Sequence, residues 1–349
     1  MSISIINKKP NLDDLIIKKD ILIKYKNLHI DSFQNIIFNG IKSSGKTTQI
    51  YALLCSIFDE KVYNLKHNSI EIEKKIFKFR SSIYHIEIDC IELLNNDRLF
   101  FNNYLKEYAA TRNIGLDIPK VILITNVEKI CYQTFLFLRK IIENNYKSSR
   151  FIFETSKLSC IPESIRSRFF IIRISPPKKK ELFDFINKSL IDNKKKISKT
   201  IINKIINKEI YYQGYYHFFN IINGIEYYLE TNEIIQNQYY NFLEDLIKII
   251  FIKNINIIQI SKIKSLLEKA FINFYDFNDI IYKIDRLLYK KLYNDNNNND
   301  NDVLLYKISQ KTIQCDYALN HCTGKYFIHL ENYIIQLIIL IHNLDLKEN

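Results

Sequence analysis

The chain has 349 residues and a formal net charge of +12, with 50 lysines and arginines against 38 aspartates and glutamates. Hydrophobic residues make up 47% and charged residues 25%, which excludes a largely disordered chain. Glycine occurs six times and proline five times, too few for an all-β fold with many tight turns. The composition favours helices and buried strands, and the charge suits a polyanionic partner such as nucleic acid, or an anionic membrane surface.

We expect no membrane signal in this sequence. The first residues contain no hydrophobic stretch, so we expect no secretory signal, and the apolar run 334–341 is too short to span a bilayer. We therefore expect no membrane partner. The six cysteines form no CxxC pair, which predicts no zinc ribbon and suits a reducing compartment.

Apolar segments in the first half of the chain are typical of buried strands. They are 35–38 (NIIF), 83–88 (IYHIEI), 121–125 (VILIT), 151–153 (FIF) and 169–174 (FFIIRI). Helical patterns lie between most of them, for example at 98–110 and 133–145. Strands that alternate with helices predict a five-stranded parallel sheet covered on both faces.

The pattern changes after Pro176 and Pro177, and no further strand is predicted. Apolar spacing predicts about three helices in 178–230 and about five in 238–349. In one of them, the apolar positions from Ile280 to Leu292 form a single wide face. The low-complexity run 294–302 (NDNNNNDND) predicts a solvated loop. The fold class is therefore α/β followed by all-α.

Residues 40–47 read GIKSSGKT and fit the pattern G-x4-G-K-[ST], between a predicted strand and the apolar helix 48–58. This context is that of a phosphate-binding loop at a helix N-terminus. The expected nucleotide-binding residues are Gly40, Ile41, Lys42, Ser43, Ser44, Gly45, Lys46, Thr47 and Thr48. Lys46 is expected to reach the β- and γ-phosphates of ATP (or ADP), and the Thr47 hydroxyl to bind Mg²⁺.

Hydrolysis requires further groups. A P-loop ATPase usually ends a second buried strand with an acidic pair, but the strand 121–125 ends in Thr125 and Asn126. Glu128 is acidic but lies two or three positions too late. Losing a general base typically costs ~10²–10⁴ in rate, so we expect this site to bind nucleotide and to hydrolyse it poorly.

Four stretches together resemble one family. They are SIYHIEID (82–89), FLRKIIENNYKSSRFIFETS (137–156), IPESIRSRFFIIRI (161–174) and CDYALNHCTGKYFIHLENYIIQLI (315–338). They resemble the small subunits of replication factor C, the AAA+ sliding-clamp loader of eukaryotes and archaea. The closest likeness is to the subunit-three type, whose acidic Walker B motif is degenerate.

The resemblance implies roles for particular residues. Arg168, preceded by Ser167, would be an arginine finger that reaches the nucleotide site of a neighbouring subunit, although solvated arginines near a strand edge are the alternative. Arg139 and Lys140 would contact the DNA backbone. Ser156 stands where the family has a sensor asparagine. The stretch 213–220, which matches the lid helix, has no sensor arginine.

The resemblance also implies an architecture and a function. We expect an AAA+ nucleotide-binding domain over 1–175, a helical lid over 176–231 and a helical collar for oligomerisation over 232–349. The function would be that of a subunit in a hetero-oligomeric ATP-dependent clamp loader. Its partners would be other replication factor C-like subunits, a ring-shaped sliding clamp and primer–template DNA bound through its backbone. Its location would be the nucleus, or a cytoplasmic virus factory for a viral chain.

Two alternatives stay open at this point. The chain could be a self-sufficient P-loop ATPase acting on DNA, with Glu128 or Glu87 in place of the lost acids. It could also be a structural adaptor that no longer binds nucleotide. In the loader hypothesis, most hydrolysis takes place in other subunits of the complex.

Overall fold

The computed structural model describes residues 34–93, 96–112, 118–192, 197–213, 218–234, 237–252, 256–295, 299–321 and 326–342. These residues form two compact units. The first runs to residue 232 without 211–213, and the second comprises 211–213 and the described residues from 233 onward. The helices of 176–231 thus group mainly with the α/β part of the chain. The division into nucleotide-binding domain, lid and collar stays a prediction.

A single sheet organises the first unit. Its strands are β1 (Ile36–Asn39), β2 (Lys66–Ile72), β3 (Lys75–Ser81), β4 (His85–Asp89), β5 (Lys120–Thr125), β6 (Ser149–Thr155) and β7 (Phe170–Arg173). Their order is β2-β3-β4-β5-β6-β1-β7. The strands β4, β5, β6, β1 and β7 pair in parallel, which confirms the predicted five-stranded parallel sheet.

The edge hairpin β2–β3 was not predicted. Its strands pair antiparallel, and β3 joins the sheet through β4. The turn consists of Glu73 and Lys74, with φ of 49° and 64°. Such a turn normally takes glycine, asparagine or aspartate, because side chains disfavour positive φ. The usual sequence signal of a hairpin is therefore missing here.

Helices cover both faces of this sheet. They are α1 (Lys46–Ile57), α2 (Asp97–Phe100), α3 (Lys106–Ala110), α4 (Tyr132–Asn144) and α5 (Glu163–Arg166), with a π-helical turn at Phe101–Leu105 between α2 and α3. Alternate residues of β1 enter different cores, since Ile36 and Phe38 pack with α1 whereas Ile37 packs with the cluster that includes α4. This alternation produces the two-sided burial that the continuous apolar strands predicted.

The rest of the described chain is helical. The helices are α6 (Lys179–Asp192), α7 (Lys199–Gln213), α8 (Phe218–Thr231), α9 (Gln238–Ile250), α10 (Ile257–Ile272), α11 (Phe277–Asp295), α12 (Asn299–His321) and α13 (Tyr326–His342). The predicted apolar face of α11 lies in the core of the second unit, where Ile280, Ile284 and Leu288 are fully buried. Among the described helices, none is long and apolar enough to cross a membrane.

The prediction of a loop over 294–302 is largely wrong. Helix α11 continues to Asp295 and α12 begins at Asn299, so the non-helical part is confined to 296–298, which lie outside the described residues. Asparagine and aspartate are favoured at helix N-termini, where their side chains accept from free backbone N–H groups. Carboxylates in the first turn are also stabilised by the helix dipole. A run of these residues can therefore begin a helix.

A buried histidine in β4 makes the stability of the first unit depend on pH. His85 is fully buried and shares a hydrogen bond with the Ser82 hydroxyl through Nδ1 (2.7 Å), while its Nε2 has no partner among the described residues. Burial, with a smaller effect of the Arg80 guanidinium, lowers the pKa of His85 to about 4. The folded chain therefore holds this imidazole neutral at a pH where the unfolded chain protonates it.

We expect the free energy of unfolding to fall by about 2–3 kcal/mol from this group as the pH drops from 7 to 4.5. The loss begins near pH 6.5, the ordinary histidine value, because below it the unfolded state binds a proton that the folded state does not. Urea unfolding at the two pH values measures it. His85→Gln has no imidazole to titrate and should lose less; an equal loss in both proteins would contradict the assignment.

Candidate nucleotide-binding site

The predicted phosphate-binding loop connects β1 to α1. The loop leaves the sheet at Gly40, and α1 begins at Lys46. Gly45 caps the helix in the left-handed region, with φ of 85°, and Ser43 also has a positive φ of 59°. The first N–H groups of α1 have no partner within the helix and lie directly after the loop, as anion binding requires.

The loop fits closely against the neighbouring strand ends. The Gly40 N–H donates to the Thr155 carbonyl at the end of β6 (3.2 Å). On the other side, a Cβ atom at residue 40 would lie 2.3 Å from the carbonyl oxygen of Ile174. Only glycine fits at this position without moving backbone.

Lys46 lies at the centre of the loop. It is 6% exposed, and its Nζ donates to the carbonyls of Gly40 and Ile41, each at 3.0 Å. Burial lowers the pKa of Lys46, and the nearby carboxylates of Glu154 and Glu128 oppose that shift. Its ammonium is thus held inside the loop, where a bound phosphate would be.

A polar atom inside the loop supports the fit of a nucleotide phosphate. Ser44 is 3% exposed, and its Oγ is buried with no hydrogen-bond partner among the described residues. Buried hydroxyls are normally paired, and a phosphate oxygen would supply the partner. Residues 40–48 connect β1 to the first turn of α1, with Lys42, Thr47 and Thr48 exposed. These residues fit a nucleoside triphosphate.

Sequence reasoning missed Glu154. It lies on β6, its side chain is 14% exposed, and both carboxylate oxygens accept from the Thr47 hydroxyl at 3.1 Å. Its Oε1 is 3.8 Å from Lys46 Nζ. Burial raises the pKa of Glu154, and the Lys46 charge opposes this shift. The available signal was a charged residue directly after the apolar run 151–153, because a charge at the end of a buried strand needs a partner.

The end of β5 carries no carboxylate. Thr125 is 7% exposed, and its hydroxyl donates to the Ile88 carbonyl at 3.5 Å. Asn126 takes a left-handed conformation, with φ of 53°, and its amide donates to Asp89 Oδ1 at 2.9 Å. Both residues of the degenerate acidic motif thus hold neighbouring strands together.

Glu128 turns toward the candidate sensor. Its carboxylate accepts from the hydroxyls of Ser156 (2.5 Å) and Thr155 (2.8 Å), and from the Ser156 N–H (3.2 Å). Burial raises the pKa of Glu128, but these hydrogen bonds outweigh it and the pKa lies below its ordinary value. A carboxylate that already accepts these bonds is a weak base for water.

Glu87, the other acid weighed for hydrolysis, is 2% exposed and bound elsewhere. Its Oε1 lies 2.6 Å from the Arg80 guanidinium, and Oε2 accepts from the Tyr51 hydroxyl at 2.5 Å. Because burial and the Glu87 charge both raise the pKa of Tyr51, that hydroxyl remains a donor. Glu87 therefore forms a partly buried ion pair between β3 and β4.

Two of the other predicted site residues, Arg139 and Arg168, share a carboxylate. Arg168 follows α5, and its guanidinium contacts Glu143 of α4 at 2.6 Å. The Nε of Arg139 is 3.5 Å from the same Glu143 carboxylate. Lys140 and Ser167 are exposed. The lid stretch 213–220, in which the missing sensor arginine was noted, lies partly outside the described residues.

The two loop glycines differ in what an added methyl group would meet. We expect Gly40→Ala to destabilise the first unit by about 2–3 kcal/mol, because its Cβ would clash with the Ile174 carbonyl. Gly45→Ala has nothing within 4 Å and should cost only about 1 kcal/mol of left-handed strain. Thermal unfolding of both variants measures the difference, and an equal or larger effect at Gly45 would contradict it.

No protein-family model matches the chain. Several curated proteins are similar to it in sequence. The chain is 27% identical over 165 residues to replication factor C subunit 5 of Neurospora crassa, covering 45% of this chain and 47% of that protein. It is 28% identical over 189 residues to replication factor C subunit 3 of Arabidopsis thaliana, covering 49% and 52%. A putative replication factor C small subunit of Acanthamoeba polyphaga mimivirus is 31% identical over 170 residues, covering 46% and 45%.

Among solved structures, AMPPCP-bound DnaA from Aquifex aeolicus matches with a TM-score of 0.48 and 13% identity, covering 95% of this chain and 98% of that chain. DnaA bound to AMPPCP and single-stranded DNA matches with a TM-score of 0.49 and 13% identity, covering 94% and 99%. The matched region spans about half the length of the curated relatives, and over that region the chain is similar to replication factor C small subunits, as its motifs predict.

Proposed function

We propose that this chain is a nucleotide-binding subunit of a hetero-oligomeric DNA sliding-clamp loader. The observation that carries the proposal is the phosphate-binding loop beside the parallel sheet. It combines a buried lysine, a glycine cradle and a serine hydroxyl that has no partner among the described residues. The similarity to replication factor C small subunits supplies the class of complex. The net charge of +12 suits a complex that holds DNA through its phosphates.

In this proposal the chain binds ATP and hydrolyses it weakly. Lys46 exchanges its two loop carbonyls for phosphate oxygens, and the loop N–H groups donate to the remaining phosphate oxygens. Magnesium, when bound with the nucleotide, neutralises phosphate charge beside Thr47. No free carboxylate stands at Thr125 or Asn126, and Glu128 is taken by its donors. The bound nucleotide then serves mainly to shape the contact with the next subunit.

The trans-acting role falls to Arg168. Its side chain is 39% exposed, on the surface beside α4, and so is available to a neighbouring subunit. Glu143 holds the guanidinium, and an exposed ion pair of this kind is worth only about 0–1 kcal/mol, so it can be exchanged for a phosphate. Arginine suits that role because its planar fork binds phosphate in a bidentate manner.

The DNA contact falls to Arg139 and Lys140 on α4. Both side chains would bind phosphate oxygens, which gives affinity that depends on salt and hardly on base sequence. The remaining partners are sister subunits and a ring-shaped clamp. The complex would act where that DNA is replicated, in the nucleus or in a cytoplasmic virus factory.

Co-purification tests the proposal directly. We expect the tagged full chain, isolated from its source cells at low salt, to carry several AAA+ sister subunits and a ring clamp, identified by mass spectrometry. Recovery of the chain alone, with ATP turnover that Lys46→Ala abolishes, would overturn the proposal in favour of a self-sufficient ATPase. Partners without any ATP binding would instead indicate a structural adaptor.

A second prediction isolates the arginine finger. Within the reconstituted complex, Arg168→Ala should lower turnover at the neighbouring site by ~10³–10⁵, because the finger stabilises charge in the transition state. ATP binding by this chain itself should not change. Arg150→Ala is the matched control, since Arg150 lies at the start of β6, at the opposite edge of the sheet from the loop. Equal rates in both variants would remove Arg168 from the mechanism.

A further inference from the structure

The missing acid of β5 has a counterpart on the next strand. Ile124 pairs with Phe153, so Thr125 and Glu154 are the following residues on adjacent strands. Leu123 and Ile152 both pack in the core cluster that includes α1. Because side chains alternate along strands, Thr125 and Glu154 face the same side as those residues, toward the start of α1. The carboxylate is thus displaced by one strand, at the same level of the sheet.

That displacement brings the carboxylate closer to the loop. In the strand order, β6 lies between β5 and β1, and Phe38 of β1 pairs directly with Glu154. Adjacent strands lie about 4.8 Å apart, so a group on β6 starts one strand spacing nearer to the loop than a group on β5. Both carboxylate oxygens of Glu154 then lie 3.1 Å from the hydroxyl oxygen of Thr47.

The hydrogen bond between these residues leaves the hydroxyl able to bind a metal. Thr47 donates its single proton to the carboxylate, and the lone pairs of Oγ1 remain available. Mg²⁺ prefers hard oxygen ligands and is usually bound in proteins by one or two carboxylates together with substrate phosphates and water. Thr47 and Glu154 provide that donor set beside the phosphate position.

The other two acids considered for this site are already paired. Glu87 is bound by Arg80 and Tyr51, and Glu128 by donors from Thr155 and Ser156. Among the described residues, Glu154 instead contacts Thr47 and Lys46, the two loop residues that a magnesium–nucleotide complex would engage. Among these three acids, Glu154 is the one that contacts the phosphate-binding loop.

We propose that Glu154 is the carboxylate that serves the magnesium ion of the bound nucleotide, in place of the acid missing at the end of β5. This inference rests on the proposed nucleotide binding. It names the residue that makes nucleotide binding depend on a divalent cation. It also separates two functions that one acidic motif usually combines. In this proposal, Glu154 on β6 serves the magnesium ion, whereas Thr125 at the end of β5 cannot activate water.

Calorimetric titration of the full chain with ATP, in MgCl₂ and separately in EDTA, tests the assignment. The readout is the ratio of the two dissociation constants, Kd in EDTA over Kd in Mg²⁺. We expect Glu154→Gln to lower this ratio by about 10–100-fold, the usual loss when a group supporting a metal site is removed. Glutamine keeps the size of the side chain and can accept from Thr47, and thermal unfolding confirms that the variant folds.

Further variants distinguish the alternatives. Glu128→Gln should leave the ratio unchanged; if it lowers the ratio and Glu154→Gln does not, the assignment moves to Glu128. In the double variant Thr125→Asp and Glu154→Ser, the carboxylate is returned to β5, and the ratio should recover. Tighter ATP binding by Glu154→Gln in both buffers would overturn the proposal, because Glu154 would then be repelling the phosphates.

The wild-type chain separates this inference from the proposed function. If it binds ATP equally well with and without Mg²⁺, the role of Glu154 is refuted while nucleotide binding stands. If it binds no ATP in either buffer, nucleotide binding fails and the assignment of Glu154 fails with it.

Discussion

The parallel pairing of β1 with β6 on one side and β7 on the other fixes the position of the whole site. Gly40 leaves β1 between the carbonyl of Thr155, to which it donates, and the carbonyl of Ile174, which excludes a side chain. The loop therefore rests at the carboxyl edge of the sheet, where parallel strands deliver their following residues. Glu154 and Ser156 come from the neighbouring strand at the same edge.

Buried charge is handled in three different ways around this loop. Glu87 forms an ion pair with an arginine, and Glu128 accepts hydrogen bonds from hydroxyl and amide donors. Glu154 contacts the lysine and the threonine of the loop itself. A buried carboxylate without such partners would be costly. The first two arrangements stabilise the domain, and the third connects folding to ligand binding. In the proposed function, these arrangements give a site that holds a magnesium nucleotide and activates water poorly.

Glu143 connects the residues proposed for the subunit and DNA contacts. It contacts Arg168 and also lies near Arg139, on the helix proposed to face DNA. A phosphate that binds either arginine competes with this shared carboxylate. Since exposed ion pairs are weak, such an exchange costs little. In the proposed loader, DNA binding and the release of the arginine finger would therefore influence each other through one side chain.

Much of this protein followed from the sequence alone. The loop 40–47 is specified by local residue chemistry, and the five parallel strands by continuous apolar runs, so both were predictable. The β2–β3 hairpin was missed because Glu73 and Lys74 form its turn without the residues that usually signal one. Only the tertiary structure decided the role of Glu154, since strand order brings β6 beside β1 and no local pattern encodes which strands become neighbours.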